Sequence, residues 1–365
     1  MPISTAEVLA GRALWQAICA PETPPISCDE TLLGEGVRRF ARKTAPTVAA
    51  WLIPALTAQD PKRFSADKLE RMRQYNRFTR ARAREWLELI NAAGIDVLAL
   101  KGLATATRFY PDPLIRAMGD VDLLVRPKDV GRLCDLLAGQ GFRFKKSRNT
   151  PIWGFPSESS FHPFVSADGS FVFDIHIAAD DYPVSIGLPV DRVFDAAQTL
   201  DVDGVKICVP SDDHLLLLAL THAGRDKFGP DSLRSLTDII VALTRANLRP
   251  GWPDWGALID CARAGGFLRP MRAAINLLAA LGVGRHLLPE DLLGSYPWPA
   301  QAAFAGVVRD CLTVFVAAPS RTAMQIRDWL LISSSGVLAH RNGRRRHGLV
   351  RPWSGVPDGY RLSGK

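Results

Sequence analysis

Asp120 and Asp122 stand two residues apart at the head of an apolar run, in RAMGDVDLLV (Arg116 to Val125). Residues two apart in a strand project to one face, so this spacing aims both carboxylates the same way while Val121 and Leu123 pack behind. Like charges held that close repel, and one carboxyl is driven toward its protonated form unless a cation lies between them. A hard divalent ion resolves the conflict, because Mg2+ prefers oxygen ligands and recruits substrate phosphates to its remaining positions. A third carboxylate, Asp174, lies in FVFDIHIAAD, where it shares a face with His176 opposite Phe173 and Ile175. Three acidic side chains on adjoining strands would cradle two Mg2+ or Mn2+ ions about 3.5–4 Å apart, which suits in-line phosphoryl or nucleotidyl transfer.

Upstream, LALKGLATATRFY (Leu98 to Tyr110) breaks an apolar strand at Lys101-Gly102 and opens a helix. Glycine lets a backbone approach a phosphate, amides at a helix start attract anions, and Lys101 adds a positive charge. An ordinary strand-to-helix turn with a solvated lysine fits the same residues. Arg116 could face a substrate or pair with Asp112 in the loop. His176 beside the carboxylates reads as a substrate contact or as a hydrogen-bonded structural histidine. His222 and Asp238 fall on expected helices, as core polar pairs or as acceptor-pocket residues.

The elements that must position these groups form an α+β arrangement. Residues 1–93 read as a helical region, 94–210 as a small mixed-sheet core, 211–332 as a second helical region, and 333–365 as a basic, flexible tail. In the first region Leu69, Met72, Tyr75, Phe78, Thr79, Trp86, Leu87 and Ile90 recur at helical steps, predicting an apolar stripe with Met72, Phe78 and Trp86 in the core. FHPFVSADGSFVFDIHIAAD predicts a hairpin turning at Asp168-Gly169, and Val202 to Pro210 one further strand after Asp203-Gly204. Ser211 is the expected N-cap of the next helix.

A net charge of +8 invites a polyanionic partner, but much of the excess lies in Arg71–Trp86 and His340–Arg351. A solvated helix face and the tail account for it. The six cysteines lack metal-ligand spacing and suggest a reducing, cytoplasmic setting. Glu7 and Arg12 argue against a signal peptide, and no apolar run reaches the roughly 20 residues that span a bilayer, so no membrane partner is expected.

The stretch LALKGLATATRFYPDPLIRAMGDVDLLV resembles the uncharacterised nucleotidyltransferase family of the polymerase-beta-type nucleotidyltransferase superfamily. The likeness is carried by Leu100-Lys101-Gly102, Tyr110-Pro111-Asp112-Pro113, Arg116 to Asp122 and the later Asp174-Ile175-His176. It runs from about Leu69 to Leu243, including the helical segments with His214, His222 and Asp238. Most of the superfamily carries Gly-Ser before the acidic motif; this chain has Lys-Gly, with Lys101 as the substitute phosphate contact. The resemblance implies a metal-dependent enzyme that moves a nucleoside monophosphate from a nucleoside triphosphate (ATP or another) to a hydroxyl acceptor, releasing pyrophosphate. It assigns Asp120 and Asp122 to both metals, and Asp174 to the catalytic metal and to deprotonation of the acceptor. Lys101 and the Gly102 amide would hold the triphosphate, with Arg116 on a phosphate or bracing the acidic loop, and His176 on the nucleotide side. The acceptor would be a small molecule, peptide or protein, with peptide natural-product tailoring in view. An RNA-acting transferase and a non-catalytic nucleotide binder are the rival readings, although no RNA-binding module is evident.

Overall fold

Apolar runs set the central strands. β1 (Val97–Ala99) and β2 (Val121–Val125) are buried at every position, as expected of strands covered on both faces. With β3 (Arg143–Phe144), β4 (Phe164–Val165) and β5 (Val172–His176) they form a sheet ordered β1-β2-β5-β4-β3. Its strands pair antiparallel except for β2 and β5, which run parallel. The computed structural model describes residues 4–20, 26–44, 66–116, 118–144, 159–161, 163–245 and 250–333. Of the expected basic tail, 333–365, only Ser333 is among the described residues, and the Leu69 side chain lies outside them.

Helices α1 (Thr5–Cys19), α2 (Glu30–Thr44) and α3 (Ala66–Ala92) precede the sheet. α4 (Lys101–Phe109) follows β1, and α5 (Val130–Gly139) follows β2. After β5 come the short α6 (Val184–Gly187) and α7 (Val190–Asp195). Where one strand was expected, β6 (Gln198–Val202) and β7 (Val205–Val209) make a separate hairpin. Asp203 and Gly204 both take positive φ at its turn, which suits a tight two-residue loop. α8 (Asp212–Arg225), α9 (Ser232–Arg245), α10 (Trp255–Ala264), α11 (Leu268–Leu281), α12 (Ala300–Leu312) and α13 (Arg321–Arg327) complete the α+β fold. Ser211 caps α8 as expected, accepting from the His214 amide.

The core divides by sheet face. Val97, Ala99, Val121, Leu123, Phe173 and Ile175 pack with Leu87 and Ile90 of α3 and Leu133 and Leu137 of α5. Leu98, Leu100 and Leu124, offset by one residue, join a second cluster with α1, α8, α9, α11 and α12. No described helix is long and apolar enough to cross a membrane, and the six cysteines are unpaired.

The stripe on α3 differs from the expected one. Tyr75 and Phe78 are exposed, and the buried positions are Met72, Asn76, Thr79, Arg80, Ala83, Leu87 and Ile90. The polar members are buried because each finds a partner. Asn76 Nδ2 donates to the Leu114 carbonyl at 2.6 Å, and Arg80 Nη1 to Thr107 Oγ1 at 3.1 Å. Arg73 binds Asp112 at 2.8 Å and Arg84 reaches the Asp203 carbonyl, so this basic helix is not merely a solvated face. Trp86 is half-buried, edge-on to Phe142 with ring centroids 4.9 Å apart.

Candidate active site

The parallel register of β2 and β5 sets Asp122 opposite Asp174 and Leu124 opposite His176. Side chains alternate along a strand, so Asp122 shares the face of Leu124, which packs toward the C-terminal helices. Lys101 comes in from the start of α4. Its Nζ donates to Asp122 Oδ1 at 2.7 Å, and His176 Nε2 donates to the same oxygen at 2.9 Å. His176 Nε2 also stands 3.5 Å from Asp174 Oδ2. Lys101 has φ +40°, an unusual conformation for a non-glycine residue, between the end of β1 and the first turn of α4. The surroundings hold it there: besides the ion pair, the Leu100 amide donates to the Asp122 carbonyl at 2.9 Å.

Ligand atoms of Asp122, Asp174 and His176 lie within 4.8 Å of one another. Asp120, expected to complete the set, stands outside that cluster, just before β2, and lines the same cavity. The structure therefore brings His176 into the group where the sequence suggested a third carboxylate. Asp174 Oδ1 and His176 Nδ1 are buried with no hydrogen-bond partner. An orphaned carboxylate oxygen and a second carboxylate opposite it make an oxygen donor set that fits Mg2+ or Mn2+, with the His176 N–H as the partner that orients them.

Electrostatics sort the acids. Burial opposes ionisation of Asp122, but Lys101 and His176 outweigh it and hold the carboxyl far below the usual carboxylate range. Burial likewise works against the Lys101 ammonium, and Asp122 more than compensates, leaving its pKa above the ordinary lysine value. For His176, burial and Lys101 favour the neutral ring, while the bonds to Asp122 and Asp174 win and raise it. Asp120 shifts upward, from enclosure by the cleft and from the charges of Asp122 and Asp174, although its side chain stays open to the cavity. Only one of two neighbouring acids is thus stabilised as an anion by the protein alone.

Lys101, Asp120, Asp122 and Asp174 line a cavity of about 330 Å3, whose other wall comes from α8 and α9. Arg116, from the loop before β2, also lines the cavity, 5% exposed, with its guanidinium on Asp238 of α9: Nη2 to Oδ2 is 2.8 Å and Nε to Oδ1 3.2 Å. Tyr110 Oη donates to Asp238 Oδ1 at 2.6 Å. Arg116 thus braces the loop to α9, and Asp112 pairs with Arg73 instead. Gly102 lines the cavity as well, but its missing side chain has a packing reason. A Cβ there would stand 3.2 Å from Arg116 Nη1 and from Met118 Cγ. His222 lines the cavity with its Nε2 buried and unpartnered. Burial, Lys101 and Arg225 keep its ring neutral.

Sequence reasoning missed Asp231, Arg234 and Ser235, which line the cavity with Asp238. Their signal was present: in DSLRSLTD these four recur at the three- and four-residue steps of one helix face, opposite Leu233 and Leu236. A search of curated proteins found no match to the chain. Among solved structures, it is similar to an antigenic nucleotidyltransferase-like protein from Paracoccidioides brasiliensis. The match covers 52% of this chain and 85% of that one at 16% identity, with a TM-score of 0.34, too slight to build on. A family profile described as uncharacterised nucleotidyltransferase matches residues 50–282, more than half of the chain. The chain belongs to the uncharacterised nucleotidyltransferase family.

Proposed function

We propose that the protein transfers a nucleoside monophosphate from a nucleoside triphosphate to a hydroxyl group of a small molecule, peptide or protein, with release of pyrophosphate. The observation that carries this reading is the opposed pair Asp122 and Asp174 on the cavity side of β2 and β5, with Asp174 Oδ1 unpartnered. Family membership supports it. Asp122 and Asp174 would hold a divalent ion, joined by Asp120 from the preceding loop. Such an ion polarises the phosphate and neutralises charge that develops on it.

The chain's own groups do the rest. The acceptor oxygen forms a bond to the α-phosphorus, and the bond from that phosphorus to the β-bridging oxygen breaks. Its electron pair leaves with pyrophosphate, and the hydroxyl proton passes to the Asp174 carboxylate. Lys101 keeps Asp122 ionised and offsets phosphate charge, and His176 orients both carboxylates. Gly102 gives α4 a close-packed start beside the phosphates, and Arg116 fixes the loop that presents Asp120. Positioning and electrostatics of this kind are most of what phosphoryl transfer requires.

The test is incubation with each nucleoside triphosphate and Mg2+ or Mn2+, followed by pyrophosphate assay and mass spectrometry of candidate acceptors. A mass gain of one nucleotide, lost in Asp122→Asn and Asp174→Asn, is the expected result. Nucleotide binding with no turnover under either metal and every acceptor class would overturn it.

A further inference from the structure

Among the described residues, three cationic side chains reach the cavity, and the structure leaves them in different states. Lys101 is bound to Asp122 at 2.7 Å, and Arg116 is bound in two-point contact to Asp238. Arg234, half-buried in the first turn of α9, makes no hydrogen bond or ion pair among the described residues, and its Nε is buried without a partner. It faces the same cavity as Asp120, Asp122 and Asp174, with Ser235 beside it. A buried guanidinium N–H without an acceptor is costly, and is relieved when a ligand supplies one.

The Arg234 guanidinium is planar and presents paired donors that match two phosphate oxygens at once. Opposite it, the acidic group is suited to a cation-bound phosphate. A ligand satisfying both walls is negative at one end and metal-associated at the other, which describes a triphosphate. We infer that Arg234, with Ser235, is the binding site for the β- and γ-phosphates of the donor, the part that departs as pyrophosphate. This rests on the nucleotidyltransferase reading and deepens it: it moves the principal triphosphate contact from Lys101 and Arg116, both already engaged, to a residue of the C-terminal helices. The donor would then be recognised across the sheet and α9 together.

The experiment is calorimetric titration of the full chain with inorganic tripolyphosphate and with each nucleoside triphosphate, with and without Mn2+. It compares wild type, Arg234→Gln, Arg234→Lys and Asp122→Asn, and thermal melts check that each variant is folded. Arg234→Gln should weaken tripolyphosphate and every nucleoside triphosphate by at least about tenfold, whichever the base, with Arg234→Lys intermediate. The loss should persist without Mn2+, whereas Asp122→Asn should weaken binding only when Mn2+ is present. If wild type binds nucleotides and Arg234→Gln binds them equally well, Arg234 is not the phosphate site, while the nucleotidyltransferase reading stands. Arg234 is likewise ruled out as that site if Arg234→Gln raises only the KM for the acceptor. If wild type binds neither tripolyphosphate nor any nucleoside triphosphate, both readings fall together.

Discussion

Asp122 and Asp174 face each other across the parallel β2–β5 pair, and a single His176 nitrogen reaches both carboxylates, 2.9 Å from one and 3.5 Å from the other. That relationship is made by register: a one-residue slip of β5 would turn Asp174 and His176 into the apolar layer of Phe173 and Ile175.

Metal affinity should follow this pair. Losing an outer-shell partner of a metal ligand typically lowers affinity about 10–100-fold. Asp122→Asn and Asp174→Asn should therefore each exceed that loss, with Asp120→Asn weaker because Asp120 stands outside the close cluster. Mn2+ titration followed by electron paramagnetic resonance reads the order directly. Equal effects of all three would place Asp120 on the ion as firmly as the others.

The Arg116–Asp238 pair should behave as a structural strut. Both are buried, and Asp238→Ala would strand a guanidinium in the protein interior, at about 3–5 kcal/mol by chemical denaturation. Replacing both, as Arg116→Met with Asp238→Leu, should recover much of that stability. Tyr110→Phe removes the hydroxyl that donates to Asp238 at 2.6 Å and should lose about 1–3 kcal/mol.

Gly102→Ala distinguishes packing from phosphate contact. Its Cβ would press on Arg116 Nη1 at 3.2 Å, and Arg116 is pinned by Asp238, so the strain has little room to relax. A stability loss of about 1–3 kcal/mol is expected in the ligand-free protein. Wild-type stability with weakened nucleotide binding would instead locate the effect at a phosphate.

Acid should destabilise the fold through His214 of α8. Burial, reinforced by Arg192, lowers its pKa to about 4 against an ordinary 6.5. Between those values the unfolded chain binds the proton and the folded chain does not, so stability is full above pH 6.5 and declines as pH falls toward 4. The decline contributed by this residue approaches roughly 3 kcal/mol. Denaturation curves across that range should flatten in His214→Gln.

The sequence by itself determined the local elements of the site. Asp120, Asp122, Asp174 and His176 were legible because strand periodicity and the apolar runs around them leave few ways to place a carboxylate, and Ser211 and Asp168-Gly169 because caps and turns are local chemistry. The parallel pairing of β2 with β5 was not legible, since it joins segments some fifty residues apart and nothing in either strand names its neighbour. For the same reason hydropathy placed Tyr75 and Phe78 in a core where Asn76 and Arg80 are found. A buried polar residue is tolerated when a partner from another element meets it, and that partner is known only once the chain has folded. The tertiary structure alone decided that Arg116 is taken by Asp238 while Arg234 is left facing the carboxylates. Which charges neutralise one another is a matter of distances across elements, set by packing rather than by position in the chain.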